Sequence, residues 1–292
     1  MEAIEYIAPK TVADAVAALA AKGDRARILA GGTDLLVQLR GGRRRAELVV
    51  DAKGIPELNQ LSYSARQGLT LGAAVPCYRV YQDQKVASAY PALIDAASLI
   101  GSIQIQGRAS IGGNLCNSAP SGDSIPAMIV LGGVCTVAGP GGKTREVAAE
   151  QFCTGPGRNV LQPGEVLVSI HFPAPQANSG ANYQRFIPRN EMDIAVAGVG
   201  SSVVLDRTKR NFVSARISLA SVAPTPVSAQ KAAASLAGKP VSDATIEEAA
   251  RLAMEDAKPI TDMRGTIRQR THLVGVLTRR TLQEAIKRAR GE

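Results

Sequence analysis

Two glycine pairs, each with hydroxyl- or amide-bearing neighbours, are the residues of this sequence best suited to chemistry. They stand in Ala30-Gly31-Gly32-Thr33-Asp34 and in Ser110-Ile111-Gly112-Gly113-Asn114. Glycine lets backbone N–H groups approach an anion with no Cβ in the way and tolerates positive φ, while Thr33, Ser110 and Asn114 add side-chain donors. Brought together, two such loops make a donor-lined cleft for a diphosphate; either one alone reads equally as a plain turn. Other phosphate motifs fail. A dinucleotide fingerprint needs Gly-x-Gly-x-x-Gly between strand and helix, which neither loop offers. Gly139-Pro-Gly-Gly-Lys143-Thr144 imitates the end of a P-loop, but Val137 stands where its first glycine belongs, and it reads as a hairpin turn. No Gly-x-Ser-x-Gly elbow occurs, and two histidines, His171 and His272, leave little material for a nucleophile triad.

Metal chemistry has equally few ligands. Cys77, Cys116, Cys135 and Cys153 are scattered without a Cys-x-x-Cys pair, so neither a zinc ribbon nor an iron–sulfur cluster is encoded. His171 lies in an alternating apolar run and reads as a half-exposed strand residue, so no metal site is assigned.

The elements that must position the glycine loops follow from periodicity. Thr11 caps a helix whose apolar stripe, Val12, Ala15, Val16 and Leu19, stops at Gly23. A strand over 27–30 delivers the first glycine pair, and another follows at 48–51. From Leu69 the texture changes to short strands at 69–74, 134–138 and 166–172, with helical stretches at 80–88, 91–98 and 125–131. Residues 173–182, rich in Pro, Gly and Asn, read as an interdomain linker. Beyond them come strands at 194–205 and 212–219 joined by a polar hairpin loop, then helices at 226–236, 242–257 and 274–290. The mixture predicts α+β packing, not a regular doubly wound sheet.

Length and composition agree. The 292 residues suggest two domains, and 45% apolar with 20% charged residues describes an ordinary globular chain. No apolar run is long enough to span a bilayer and the N-terminus lacks an export signal, so a cytoplasmic protein is expected. The net charge of +9 invites a nucleic-acid reading. Tryptophan is absent, however, and no aromatic and basic residues interleave as a stacking platform requires. The excess is concentrated in Arg40, Arg43, Arg44 and Arg45 and in Arg279, Arg280, Lys287, Arg288 and Arg290. These read as a solvated face or a docking patch for an acidic partner.

Taken in order, 28–35, 110–123, 152–157 (Phe-Cys-Thr-Gly-Pro-Gly) and 189–195 (Arg-Asn-Glu-Met-Asp-Ile-Ala) resemble the FAD-binding medium subunits of molybdenum hydroxylases, the group of bacterial xanthine, aerobic carbon monoxide and nicotinate-type dehydrogenases. The resemblance covers nearly the whole chain. It implies a two-part FAD-binding domain of the vanillyl-alcohol-oxidase (PCMH) type over 1–176, with parts at about 1–58 and 59–176, followed by a smaller α+β C-terminal domain over 177–292. By motif position, Ile28, Leu29, Ala30, Gly31, Gly32, Thr33, Asp34 and Leu35, with Ser110, Ile111, Gly112, Gly113 and Asn114, hold the pyrophosphate of non-covalently bound FAD. Asp123 accepts from a ribose or nearby hydroxyl, or else caps the helix that follows it. Leu167 and Arg185 match positions that touch the flavin, and Ile100 or Gly101 packs against the cofactor. A cation at Arg185 suits an anionic reduced flavin, although a surface arginine is its plainer reading. Asp193 stays outside the site as a turn residue.

The resemblance also implies partners: a small subunit with [2Fe–2S] clusters and a large subunit with the molybdenum cofactor, assembled as a dimer of heterotrimers. Electrons would pass from the clusters through FAD to an external acceptor, with no nucleic acid and no membrane span involved. Two rival expectations are a stand-alone flavin oxidase of the same superfold and a non-enzymatic basic nucleic-acid-binding protein.

Overall fold

A computed structural model describes residues 3–292, built on three main sheets and a short two-stranded hairpin. In the first part, the Thr11 hydroxyl accepts from the Asp14 N–H at 3.1 Å and starts the helix Val12–Lys22. Ala15, Val16 and Leu19 form its buried stripe, and Gly23, at φ 53, ends it. The strands Glu5–Ile7 and Ala26–Leu29 run parallel on either side of Leu48–Asp51, which is buried along its whole length, as the central strand of a covered parallel sheet is. Ala26–Leu29 ends just before Gly31-Gly32, and the helix Leu35–Arg40 carries the chain away. The first glycine loop therefore sits beyond the carboxyl end of a parallel strand, a position that open α/β sheets use for ligands.

The second sheet is antiparallel, in the order Leu61–Ser64, Gly68–Gly72, Val166–Phe172, Val134–Gly139, Lys143–Ala148. Between its second and third strands in sequence the chain winds through short helices, from Cys77–Gln82 to Ser124–Val130. These pack on the sheet around Leu71, Val80, Leu93, Ile111, Phe152 and Phe172. Ala74, Ala138 and Val166 of this part share a buried cluster with Ala15, Leu48 and Val50 of the first, so the two parts form one packed unit.

The third sheet, also antiparallel, orders Ser179–Phe186, Ala197–Leu205, Phe212–Ala220 and Val227–Ser228. The helix Ile267–Arg290 lies across its first two strands, and Asp243–Asp256 and Gln230–Leu236 complete the layer. Val199, Leu219, Val274 and Leu282 are at its core.

The α+β class expected from the sequence is the class found. Local differences have physical causes. The stretch read as a linker is strand from Ser179 onward, because Gly180 lets the long helix come close: a Cβ there would lie 2.1 Å from Ala285 O. The helical stretch read at 80–88 is two helices, Cys77–Gln82 and Gln84–Ala89, broken at Asp83, whose carboxylate caps the second. The strand expected from 194 begins at Ala197, since the Val196 carbonyl is taken by buried Arg270. The last helix starts at Ile267, seven residues before the expected 274, capped by Thr266 through a polar first turn. Among the described residues no helix is long and apolar enough to cross a membrane.

Candidate functional site

The two glycine loops touch. A Cβ placed on Gly31 would lie 2.0 Å from Arg108 O and 3.0 Å from Ala109 Cα, so the first loop rests on the backbone that leads into Ser110. Gly112 presses in turn against the second part of the fold, where its Cβ would meet Ala73 O at 2.5 Å. Between the loops opens a cleft of about 560 Å³, a size typical of sites for cofactors and other small molecules. Ile28, Ala30, Gly31, Gly32, Thr33, Asp34 and Leu35 line one wall, and Ser110, Gly112, Gly113 and Asn114 another. Ile100 and Leu167 add apolar surface.

The walls carry donors in need of acceptors. Among the described residues, the N–H groups of Gly31, Gly32, Thr33 and Asp34 donate no hydrogen bond inside the chain. Successive free N–H groups in a turn make an anion-binding concavity. Ser110 is the cap of a short helix, Ile111–Asn117, which the sequence reading took for a loop; its hydroxyl accepts from the Gly113 N–H at 3.0 Å. Asn114 commits its side-chain oxygen to the Ser124 hydroxyl at 2.7 Å, so its amide nitrogen is the end free to donate. Asp34 is an exposed residue whose carboxyl is nevertheless pushed up by the desolvating walls of the cleft.

Several lining residues escaped the sequence reading. Thr154, Gly157, Arg158 and Asn159 belong to a hairpin of Cys153–Gly155 and Arg158–Asn159 that forms a third wall. The signal was present in the glycine-containing block at 152–157, which by itself reads as a turn. Arg27 and Arg44 also face the cleft, and Arg27 Nε is buried with no partner.

Five of the expected site residues do not line the wall among the described residues: Leu29, Gly101, Ile111, Asp123 and Arg185. Leu29 packs beside Leu39 and Val49, and Ile111 is wholly buried in the central core, so both turn their side chains away from the cleft. Gly101, at φ 59, turns the chain directly after Ile100. Asp123 occupies the cap position of the helix Ser124–Val130 but makes no capping bond. Its carboxylate accepts instead from Tyr183 Oη at 2.8 Å and Arg185 Nη1 at 2.5 Å. Burial pushes the Asp123 carboxyl up to about 6, against the opposing pull of Arg185 and Tyr183. Arg185 is no surface residue: its side chain is 4% exposed, and its Nε has no partner. Asp193 accepts from the Ile194 N–H at 2.8 Å. The four cysteines are free, and burial pushes the thiols of Cys77, Cys116 and Cys135 up to about 12, which keeps them protonated.

The donor set fits the cofactor that the resemblance implies. A run of free N–H groups and an orphaned guanidinium Nε suit a diphosphate, and the flanking side chains of Ile100 and Leu167 suit a flat ring. Comparison with known proteins agrees. Residues 2–175 match the family described as the FAD binding domain in molybdopterin dehydrogenase, and residues 182–285 match the CO dehydrogenase flavoprotein C-terminal domain. The xanthine dehydrogenase FAD-binding subunit of Escherichia coli O157:H7 is 32% identical, over 98% of this chain and 97% of that protein. The carbon monoxide dehydrogenase medium chain of Afipia carboxidovorans is 32% identical over 98% of both. Among solved structures, carbon monoxide dehydrogenase from Hydrogenophaga pseudoflava superposes with a TM-score of 0.92 at 32% identity, covering 98% of each chain. Quinoline 2-oxidoreductase from Pseudomonas putida 86 reaches 0.90 at 29% identity, again over 98% of each. With the two glycine loops joined in one donor-lined cleft and both domain families matched in order, the chain belongs to the FAD-binding subunits of molybdenum hydroxylases of the xanthine and carbon monoxide dehydrogenase type.

Proposed function

We propose that this chain holds FAD non-covalently in the cleft between its glycine loops and serves, in the cytoplasm, as the electron-transfer subunit of a heterotrimeric molybdenum hydroxylase. In this reading a small partner carrying [2Fe–2S] centres delivers electrons, a large partner carrying the molybdenum cofactor hydroxylates the substrate, and an external acceptor receives the electrons. Two heterotrimers pair as a dimer. The observation that carries the reading is the direct contact of Gly31 with Arg108 and Ala109, which puts two remote donor loops on the walls of one cleft. Relatives named as an FAD-binding subunit and as medium chains support a place in a larger assembly.

The chain's own residues divide the work of binding. The free N–H groups of Gly31 to Asp34 grip the diphosphate, with Thr33, Ser110 and the amide nitrogen of Asn114 as further donors. Ile100 and Leu167 exclude water from the ring, and Gly101 sets the turn that presents Ile100. Asp123 and Arg185 lie outside the cleft wall, with Asp123 held by Arg185 and Tyr183, and are given no contact with the cofactor. When bound, FAD supplies a redox group able to exchange electrons singly or in pairs.

Co-purification with the neighbouring subunits followed by cofactor and metal analysis tests the reading. The expected result is FAD, iron and molybdenum in one complex, with substrate reducing the flavin only when all three subunits are present. An isolated chain whose FAD is reduced directly by an organic substrate would replace this reading with that of a stand-alone oxidase.

A further inference from the structure

Of the four arginines between positions 40 and 45, Arg40, Arg43 and Arg45 are exposed and Arg44 alone is drawn inward. It lines the cleft, and its Nη2 donates to Gly157 O at 3.3 Å. That bond joins two rims far apart in sequence, the turn after the helix Leu35–Arg40 and the turn of the hairpin Cys153–Gly155 and Arg158–Asn159. Gly157 is a fixed anchor, since its φ is 68 and its N–H donates to Ser118 O at 3.0 Å.

A second guanidinium shares this space. Arg27 lies on the strand Ala26–Leu29 that delivers the first glycine loop and lines the same cleft. Its Nη1 donates to Ala26 O at 2.7 Å, while its Nε is enclosed and has no acceptor. Desolvation, and then the nearby charge of Arg44, holds Arg27 below the usual arginine range, with Asp24 only partly opposing them. Two like charges beside one cleft, one with a buried donor unsatisfied, are a standing cost that a bound anion removes. Among the described residues no acid forms an ion pair with Arg27 or Arg44, and Glu165, which faces the same cleft, is held by Arg145 at 2.7 Å.

We propose that Arg27 and Arg44 form a cationic clasp on the FAD cleft: the cofactor's diphosphate relieves the repulsion between the two guanidinium groups, while Arg44 keeps the 41–45 turn tied to Gly157 at the rim. The inference rests on the proposed function and adds to it a pair of residues that control how long FAD stays. It also assigns one member of the basic run at 40–45 to ligand retention, leaving its three neighbours to solvent.

The experiment measures equilibrium binding and dissociation of FAD and of riboflavin, which carries no phosphate, by flavin fluorescence at low and high salt. Wild type is compared with Arg44→Ala, Arg44→Lys and Arg27→Gln, with far-ultraviolet circular dichroism of each apo-protein reporting the fold. Loss of one charge-assisted contact to phosphate weakens binding by about tenfold or more. Arg44→Ala and Arg27→Gln should therefore each release FAD about tenfold faster, with riboflavin binding unchanged and the salt dependence reduced. Arg44→Lys should recover part of the loss, because it restores charge without the guanidinium fork. If wild type binds FAD and the folded variants hold it equally tightly, or lose riboflavin as much as FAD, the clasp is wrong while the proposed function stands. If folded wild type takes up no FAD, both are overturned.

Discussion

At the scale of residues, the glycines of the two loops do different jobs, and this can be measured. Gly31 is required by the fold, since its Cβ would lie 2.0 Å from a backbone carbonyl that cannot retreat. Gly113 faces only the hydroxyl of Ser110, at 2.9 Å. Gly113→Ala keeps its N–H but crowds the Ser110 hydroxyl, so it should weaken FAD binding by about tenfold through loss of that donor, and lower the melting temperature of the apo-protein less than Gly31→Ala does. Gly31→Ala should lower both binding and stability. Equal melting losses in the two variants would contradict this division. Asp123 gives a second residue-scale test. Its carboxyl is raised to about 6, above the ordinary 3.8, so between those values the native chain keeps a proton the unfolded chain has released. Stability contributed by this group is complete below the lower value and is lost as pH rises through the upper one. Asp123→Asn removes that titration, so the stability of the variant relative to wild type, from urea unfolding, should rise between about pH 4 and pH 6 and then level off. A difference that is flat across that window would show that Asp123 stays ionised throughout. Of the roles open to Asp123 and Arg185 from sequence, helix cap and surface cation are not the ones seen. Asp123 is bonded to Tyr183 and Arg185, sixty and sixty-two positions away, and nothing local encodes those contacts.

At the scale of elements, sequence was informative where side-chain periodicity decides structure and silent where close backbone approach does. The strands Leu48–Asp51 and Val166–Phe172 stand at the boundaries their apolar patterns indicate, and the Thr11 cap and Gly23 stop delimit the first helix. The helix Ile111–Asn117 was hidden because two glycines lower helix propensity, and what stabilises it is the Ser110 cap and the burial of Ile111 and Leu115. The strand Ser179–Phe186 was hidden for a related reason: Gly180 and Ala181 show no alternation, yet their small size is what admits the long helix. Gly180→Ala drives a methyl group into Ala285 O and should cost ~3 kcal/mol in urea unfolding, the upper range for overpacking, while apo-protein that still folds keeps its affinity for FAD. A loss under ~0.5 kcal/mol, the scale of a neutral surface change, would mean the helix can shift away without penalty.

At the scale of the whole molecule, the C-terminal domain is tied to the cofactor-binding part by a few long-range polar contacts. Asp95 accepts from Asn182 Nδ2 at 2.6 Å and from Arg288 Nη1 at 2.7 Å, joining a helix of one to a strand and the terminal helix of the other. The basic residues near the C-terminus are accordingly not all a free patch. Arg279 pairs with Glu247, Arg288 with Asp95, and Arg290 Nη2 donates to Lys209 O. The formal charge of +9 therefore overstates what is open to an acidic partner. Every role assigned to this molecule depends on the cleft between the glycine loops taking up its cofactor. The most direct measurement is titration of the apo-chain with FAD, followed by flavin fluorescence and the visible absorption band. The account predicts uptake of one FAD per chain, bleaching on dithionite reduction, and complete release of unmodified FAD on denaturation. Apo-protein that is folded by circular dichroism yet leaves the added FAD free in solution would contradict it.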